Sequence, residues 1–125
     1  MKLTMENPGA THLVRSYDDG EIRVGEQRID TPCLIAPRRL LTGLRPRVPA
    51  DLQLEDLGPV FELVPEMVIV GWGGGQTFLP LRQRAWFLER RIAIEVMELG
   101  AACRTYNVLA QDGREIVALL FPSRD

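Results

Sequence analysis

The 125-residue sequence is short of the residues from which most catalytic and metal sites are built: it has two cysteines, Cys33 and Cys103, and one histidine, His12. The cysteines have no CxxC spacing, so zinc lacks a ligand set, and neither a metal nor a cofactor is expected. Aromatic residues make up only 6% of the chain, and the formal net charge is −2, from 15 Lys and Arg against 17 Asp and Glu. A faintly acidic domain of this kind is a poor general nucleic-acid binder, so no nucleic-acid partner is expected. Long hydrophobic runs are also missing. The longest stretch free of charge, Met67 to Leu81, is broken by four glycines and a proline and is too short to span a bilayer. The start, Met1 to Pro8, has no apolar segment and an early glutamate and proline, unlike a secretory or mitochondrial leader. A cytoplasmic chain with free thiols is the expectation.

With 46% apolar residues, the chain has enough material for one packed core, expected as a single α/β domain over residues 1–125 with its core at about 12–121. Alternating apolar positions in Leu13–Tyr17 and Glu21–Val24, around the turn Asp18-Asp19-Gly20, predict an antiparallel hairpin. A further tight turn is expected at Val24–Gln27, a short strand from Arg28, and a buried strand at Cys33–Ala36 closed by Pro37. From Pro37 to Pro49 four arginines without an acid predict a basic loop. Asp51 to Glu66 then reverses the charge, so that opposite charges can pair locally. Leu57, Val60, Phe61 and Val64 have helical spacing, giving a short helix that ends before Pro65.

The second half alternates strand and helix. Met67–Val70 reads as a strand covered on both faces, leading into the glycine loop Gly71 to Gly75. Pro80 suits the first turn of a helix to about Arg91 with Leu81, Ala85 and Leu88 on its apolar face. Ile92–Met97 is the next strand, and a helix from Gly100 with the stripe Ala102, Cys103, Tyr106, Leu109 and Ala110 follows. The last strand is Ile116–Phe121. This order predicts a mainly parallel central sheet with flanking helices and an N-terminal antiparallel hairpin layer.

In such a sheet, ligands sit beyond the C-terminal strand ends. The glycine loop leaves one strand there and Glu98-Leu99-Gly100 leaves the next, before Cys103 and Arg104. If the strand ending at Ala36 runs the same way, Arg38 and Arg39 reach the same rim. The candidate binding residues are therefore Arg38, Arg39, Gly71, Gly73, Gly74, Gln76, Cys103, Arg104 and Asn107, with no catalytic set among them.

Each has two readings. Glycine amides can cradle an anion, but no Walker lysine follows, and Gln76 stands where a dinucleotide fingerprint needs its third glycine. A tight strand-to-loop passage in which Trp72 packs is the simpler account. Cys103, at a helix start beside Arg104, has the setting of a lowered thiol pKa, yet it shares the apolar stripe and fits core packing. Arg104 and Asn107 either bind a ligand or cap a neighbouring loop. The arginines of residues 37–49 form either a patch for an anion or acidic partner or a solvated loop.

Gly100-Ala101-Ala102-Cys103-Arg104-Thr105-Tyr106-Asn107-Val108-Leu109, followed by Asp112-Gly113-Arg114, resembles the small domains related to mitochondrial respiratory complex I assembly factor 3, a group with an archaeal structural-genomics prototype. The similarity runs from about His12 to Phe121 and includes Val68–Gly71 and Glu95-Val96-Met97, whereas Trp72 and the triple glycine depart from the small-residue pattern. The resemblance implies a compact α/β fold with helices and a β-layer around a central sheet, and it implies no enzyme activity. Mitochondrial relatives assist assembly of a membrane-bound complex, and bacterial members are generally uncharacterised. The expectation is a non-catalytic interaction or assembly module with a protein partner and, through that partner, peripheral association with a membrane complex. The alternative is a small-molecule or anion binder, or an enzyme, using the glycine loop and the Cys103/Arg104 edge.

Overall fold

The computed structural model describes residues 12–18, 20–75 and 77–123. It contains two sheets. β1 (Val14–Asp18), β2 (Glu21–Val24) and β3 (Gln27–Ile29) form an antiparallel three-stranded sheet in that order. The expected hairpin is its first half; Asp19 of the turn, residues 1–11 and Gln76 lie outside the described residues. The larger sheet contains β4 (Cys33–Ala36), β5 (Arg39–Thr42), β6 (Met67–Trp72), β7 (Ala93–Glu98) and β8 (Ile116–Phe121), in the order β5-β4-β8-β6-β7. β6 is parallel to both β7 and β8, while β4 is antiparallel to β5 and β8. The mainly parallel α/β architecture expected from the element order is therefore present.

Strand patterning explains the layering. In β8, Ile116, Ala118 and Leu120 face one hydrophobic cluster and Val117, Leu119 and Phe121 face the other. Side chains two apart share a face, so an unbroken apolar strand demands cover on both sides. On the first side lie the small sheet and α3 (Leu99–Gln111), with Ile22, Val24, Ala102, Cys103 and Tyr106 buried. On the second lie α1 (Gly58–Glu62), α2 (Leu81–Leu88) and the 3-10 turns Pro49–Asp51 and Leu54–Leu57. The charge reversal along residues 45–56 closes on itself, because Arg45 donates to both carboxylate oxygens of Asp56 at 2.9 and 2.6 Å.

Three local expectations need correction. The segment after Pro37 is not wholly loop: Arg39–Thr42 pairs with β4 as an edge strand, because Leu40 and Leu41 pack on opposite clusters, opposite Ile35 and Leu34. Gly71 and Trp72 belong to β6, so the glycine loop starts two residues later. The apolar face of α2 is turned over, with Gln83 and Phe87 facing the core and Leu81 and Leu88 in solvent at 78% and 55% exposure. Phe87 meets Phe61 edge-on at 6.1 Å, and Gln83 Nε2 donates to the carbonyls of Ala50 and Leu52 at 3.1 and 2.9 Å. The aromatic payload and the need to pair buried carbonyls together outweigh the two leucines.

Gly71 sets the distance between β6 and α3: a Cβ there would overlap that of Ala102 and press on Leu120 at 3.1 Å. Gly71→Ala is expected to lower unfolding free energy by about 1–3 kcal/mol through overpacking, read as a lower urea midpoint at unchanged slope.

Candidate functional site

The C-terminal ends of the parallel strands β6, β7 and β8 lie side by side, with Trp72 opposite Glu98 on one side and Phe121 on the other. Their exits line an open cleft of about 380 Å³, walled by Tyr17, Asp18, Gly20, Gly73, Glu98, Leu99, Gly100, Pro122 and Ser123. Gly73 and the turn before Ala101 therefore share a rim. The hairpin wall and the Pro122-Ser123 floor were not foreseen, because sequence periodicity does not show where the small sheet docks on the large one.

Arg38 and Arg39 are elsewhere. Since β4 is antiparallel to β8, its C-terminal end points to the opposite pole, and the arginines line a second groove of about 230 Å³ with Ala36, Pro37, Leu63, Pro65 and residues 115–117. The three-way convergence expected from a co-directional β4 does not occur. Both arginines are exposed, and among the described residues neither forms an ion pair.

Two amides of the glycine loop are used within the chain. Gly73 donates its amide to Phe121 O at 2.8 Å and Gly75 to Trp72 O at 3.3 Å, while the Trp72 ring lies against Gly74 and its Nε1 donates to Ser123 O at 3.1 Å. The amides of Gly73 and Gly75 are thereby spent on the chain's own carbonyls. The start of α3 is engaged as well: Glu98 is its N-cap, accepting from Gly100 N at 3.0 Å and Ala101 N at 2.7 Å. The chain's own carboxylate occupies the position an external anion would take. With Asp18 beside it, the ionisable lining of the cleft is acidic.

Cys103 is buried, and burial pushes its thiol up to about 12, with Glu98 adding to the rise and Arg104 opposing it. The lowered pKa that the helix start and Arg104 suggested is overturned by desolvation. Cys33 is likewise buried and raised to about 12 by desolvation, then by Cys103. Arg104 donates to the Tyr17 hydroxyl and sits 5.9 Å from that ring's centre. Tyr17 in turn covers Gly100, where a Cβ would meet its Cε2 at 2.8 Å. Asn107 serves the second of its two readings: its Oδ1 accepts from Val14 N at 2.9 Å and its Nδ2 donates to Val14 O at 2.8 Å. Tyr106 completes this clamp by donating to His12 O at 2.8 Å. No group of three or more His, Cys, Asp or Glu among the described residues is arranged to hold a metal ion. None of the described helices is long and apolar enough to cross a membrane.

Comparison with known proteins agrees with this architecture. The profile of a family described as "Protein of unknown function (DUF498/DUF598)" matches residues 14–121. The rat protein named NADH dehydrogenase [ubiquinone] 1 alpha subcomplex assembly factor 3 is 28% identical over 125 residues, covering 96% of this chain. The chain spans 65% of that relative's length. Among solved structures, a Xanthomonas campestris protein determined by NMR is 31% identical with a TM-score of 0.85, covering 99% of this chain and 94% of its own. A Bordetella pertussis protein described as an Mth938-like domain is 28% identical with a TM-score of 0.77, the shares being 98% and 92%.

Both thiols are expected to resist a disulfide-exchange reagent in the folded protein between pH 7 and 9 and to react fully once the chain is denatured. Because their pKa values are raised on folding, the unfolded chain loses these protons first as pH rises. Stability from the buried thiols is therefore complete below the ordinary thiol range and declines as pH climbs toward about 12. Urea titrations from pH 7 to 11, with Cys33→Ala and Cys103→Ala flattening the decline, check this.

Proposed function

The chain belongs to the DUF498/DUF598 family of proteins of unknown function, and we propose that it is a non-catalytic protein-binding module that helps assemble a larger complex. The observation that carries this reading is the 28% identity to a protein named as an assembly factor along 96% of the chain. The chemistry of the strand-exit cleft is consistent with it. The thiol that would serve as nucleophile is buried with its pKa raised, and the amides of Gly73, Gly75, Gly100 and Ala101 are engaged by Phe121, Trp72 and Glu98.

The contact surface in this reading is the groove beside Arg38 and Arg39. It combines apolar walls from Ala36, Leu63 and Pro65 with two exposed arginines against one acid, Glu115, a balance suited to an acidic segment of a protein partner. Charge at such a rim steers encounter and selects the partner, while the apolar walls supply buried area. The module works in the cytoplasm, where reducing conditions suit its two free thiols. The identity of the complex follows from the partner rather than from the relative's name.

Affinity capture of the tagged full-length chain from native lysate at low salt should recover a stoichiometric partner. Arg38→Glu together with Arg39→Glu should lower its recovery at least about tenfold, and raised salt should do the same to the native chain. An unchanged partner set with the double variant would remove the groove from this reading. Failure to recover any partner across conditions would count against the assembly role itself.

A further inference from the structure

The inverted face of α2 leaves an apolar ridge in solvent. Leu81, Ala85 and Leu88 follow the i, i+4, i+7 spacing of a single helix face, opposite the side on which Gln83 and Phe87 enter the core; the two leucines are exposed and Ala85 is half-buried between them. Leu81 is 78% exposed, and Phe78, three residues ahead of it, is 84% exposed. Single exposed apolar residues are ordinary surface, but two leucines on the outward side of one helix with an exposed phenylalanine just ahead of it form a cluster of the kind that marks an interaction site.

The charges around the ridge define what fits it. Between Thr77 and Arg91 the sequence carries Arg82, Arg84, Arg90 and Arg91 against one acid, Glu89. The region is therefore locally positive on a chain whose net charge is −2. Arg90 is committed, its guanidinium lying 4.2 Å from the centre of Phe61 and donating to Trp86 O at 2.7 Å. Arg82 leans on the Trp86 ring at 5.9 Å. Among the described residues no carboxylate pairs with Arg82, Arg84 or Arg91.

From this geometry we propose that the outward face of α2 docks an acidic amphipathic helix of a partner protein. The leucines of α2 and Phe78 would enter the partner's apolar stripe, and carboxylates flanking that stripe would meet Arg82 and Arg84. A second copy of this chain fits less well, because two such faces would bring like charges together. The surface is distinct from the groove of Arg38 and Arg39, so the two succeed or fail separately.

The test uses the full chain and two fluorescent synthetic helices of about three heptads, each with leucine at the a and d positions, one flanked by glutamates and the other by lysines. Fluorescence anisotropy should show the glutamate peptide binding at least about tenfold more tightly than the lysine peptide. Phe78→Ser, Leu81→Ser and Leu88→Ser combined should lower that affinity at least about tenfold while leaving the melting temperature unchanged, since all three side chains are exposed. Arg82→Glu with Arg84→Glu should reverse the preference, and Arg38→Glu with Arg39→Glu should not alter it. Equal binding of the glutamate peptide to the native and triple-serine chains overturns the proposal. So does co-sedimentation with phosphatidylglycerol vesicles, or a dimer in analytical ultracentrifugation, that the serine substitutions abolish while neither peptide is preferred.

Discussion

The fold depends on one strand that has no polar side. β8 buries all six of its side chains, three on each face, so the large sheet is stable only when both faces are roofed. The small sheet and α3 roof one face; α1, α2 and the 3-10 turns roof the other. β8 also sets the polarity of the molecule. Its neighbour β6 runs with it and its neighbour β4 runs against it, which sends the exits of these two strands to opposite poles. The acidic cleft at one pole and the arginine groove at the other follow from that choice of direction.

Most of the architecture was legible in the sequence because apolar period and punctuation agreed. Met67–Val70 and Ile116–Phe121 were too uniformly apolar for anything but covered strands, and the stripe from Ala102 to Ala110 had the spacing of a helix packed on one side. Strand direction was not legible for β4, since a four-residue apolar run reads alike in either orientation, and with it went the expected meeting of Arg38 with Arg104. α2 misled for a different reason. Leu81, Ala85 and Leu88 carry a clean apolar period, whereas Gln83 is polar and is buried beside Phe87, where its amide donates to the carbonyls of Ala50 and Leu52.

The strand-exit cleft shows how a site suggested by position can be closed by its own chain. Parallel strands and a helix start create donors that favour negative charge, and here four of them have an internal acceptor: Phe121 O for Gly73, Trp72 O for Gly75, and the Glu98 carboxylate for Gly100 and Ala101. Burial is the main reason the Cys103 thiol stays protonated, and the carboxylate that caps α3 adds to it. Arg104 is turned toward Tyr17, joining the helix to the hairpin wall.

The carboxamide of Asn107 occupies both backbone groups of Val14 at the start of an outer strand of the small sheet. An unpaired strand margin is a template on which a foreign chain can polymerise. By answering the first residue of that margin with a side chain from α3, the molecule covers the point at which a further strand would begin to pair.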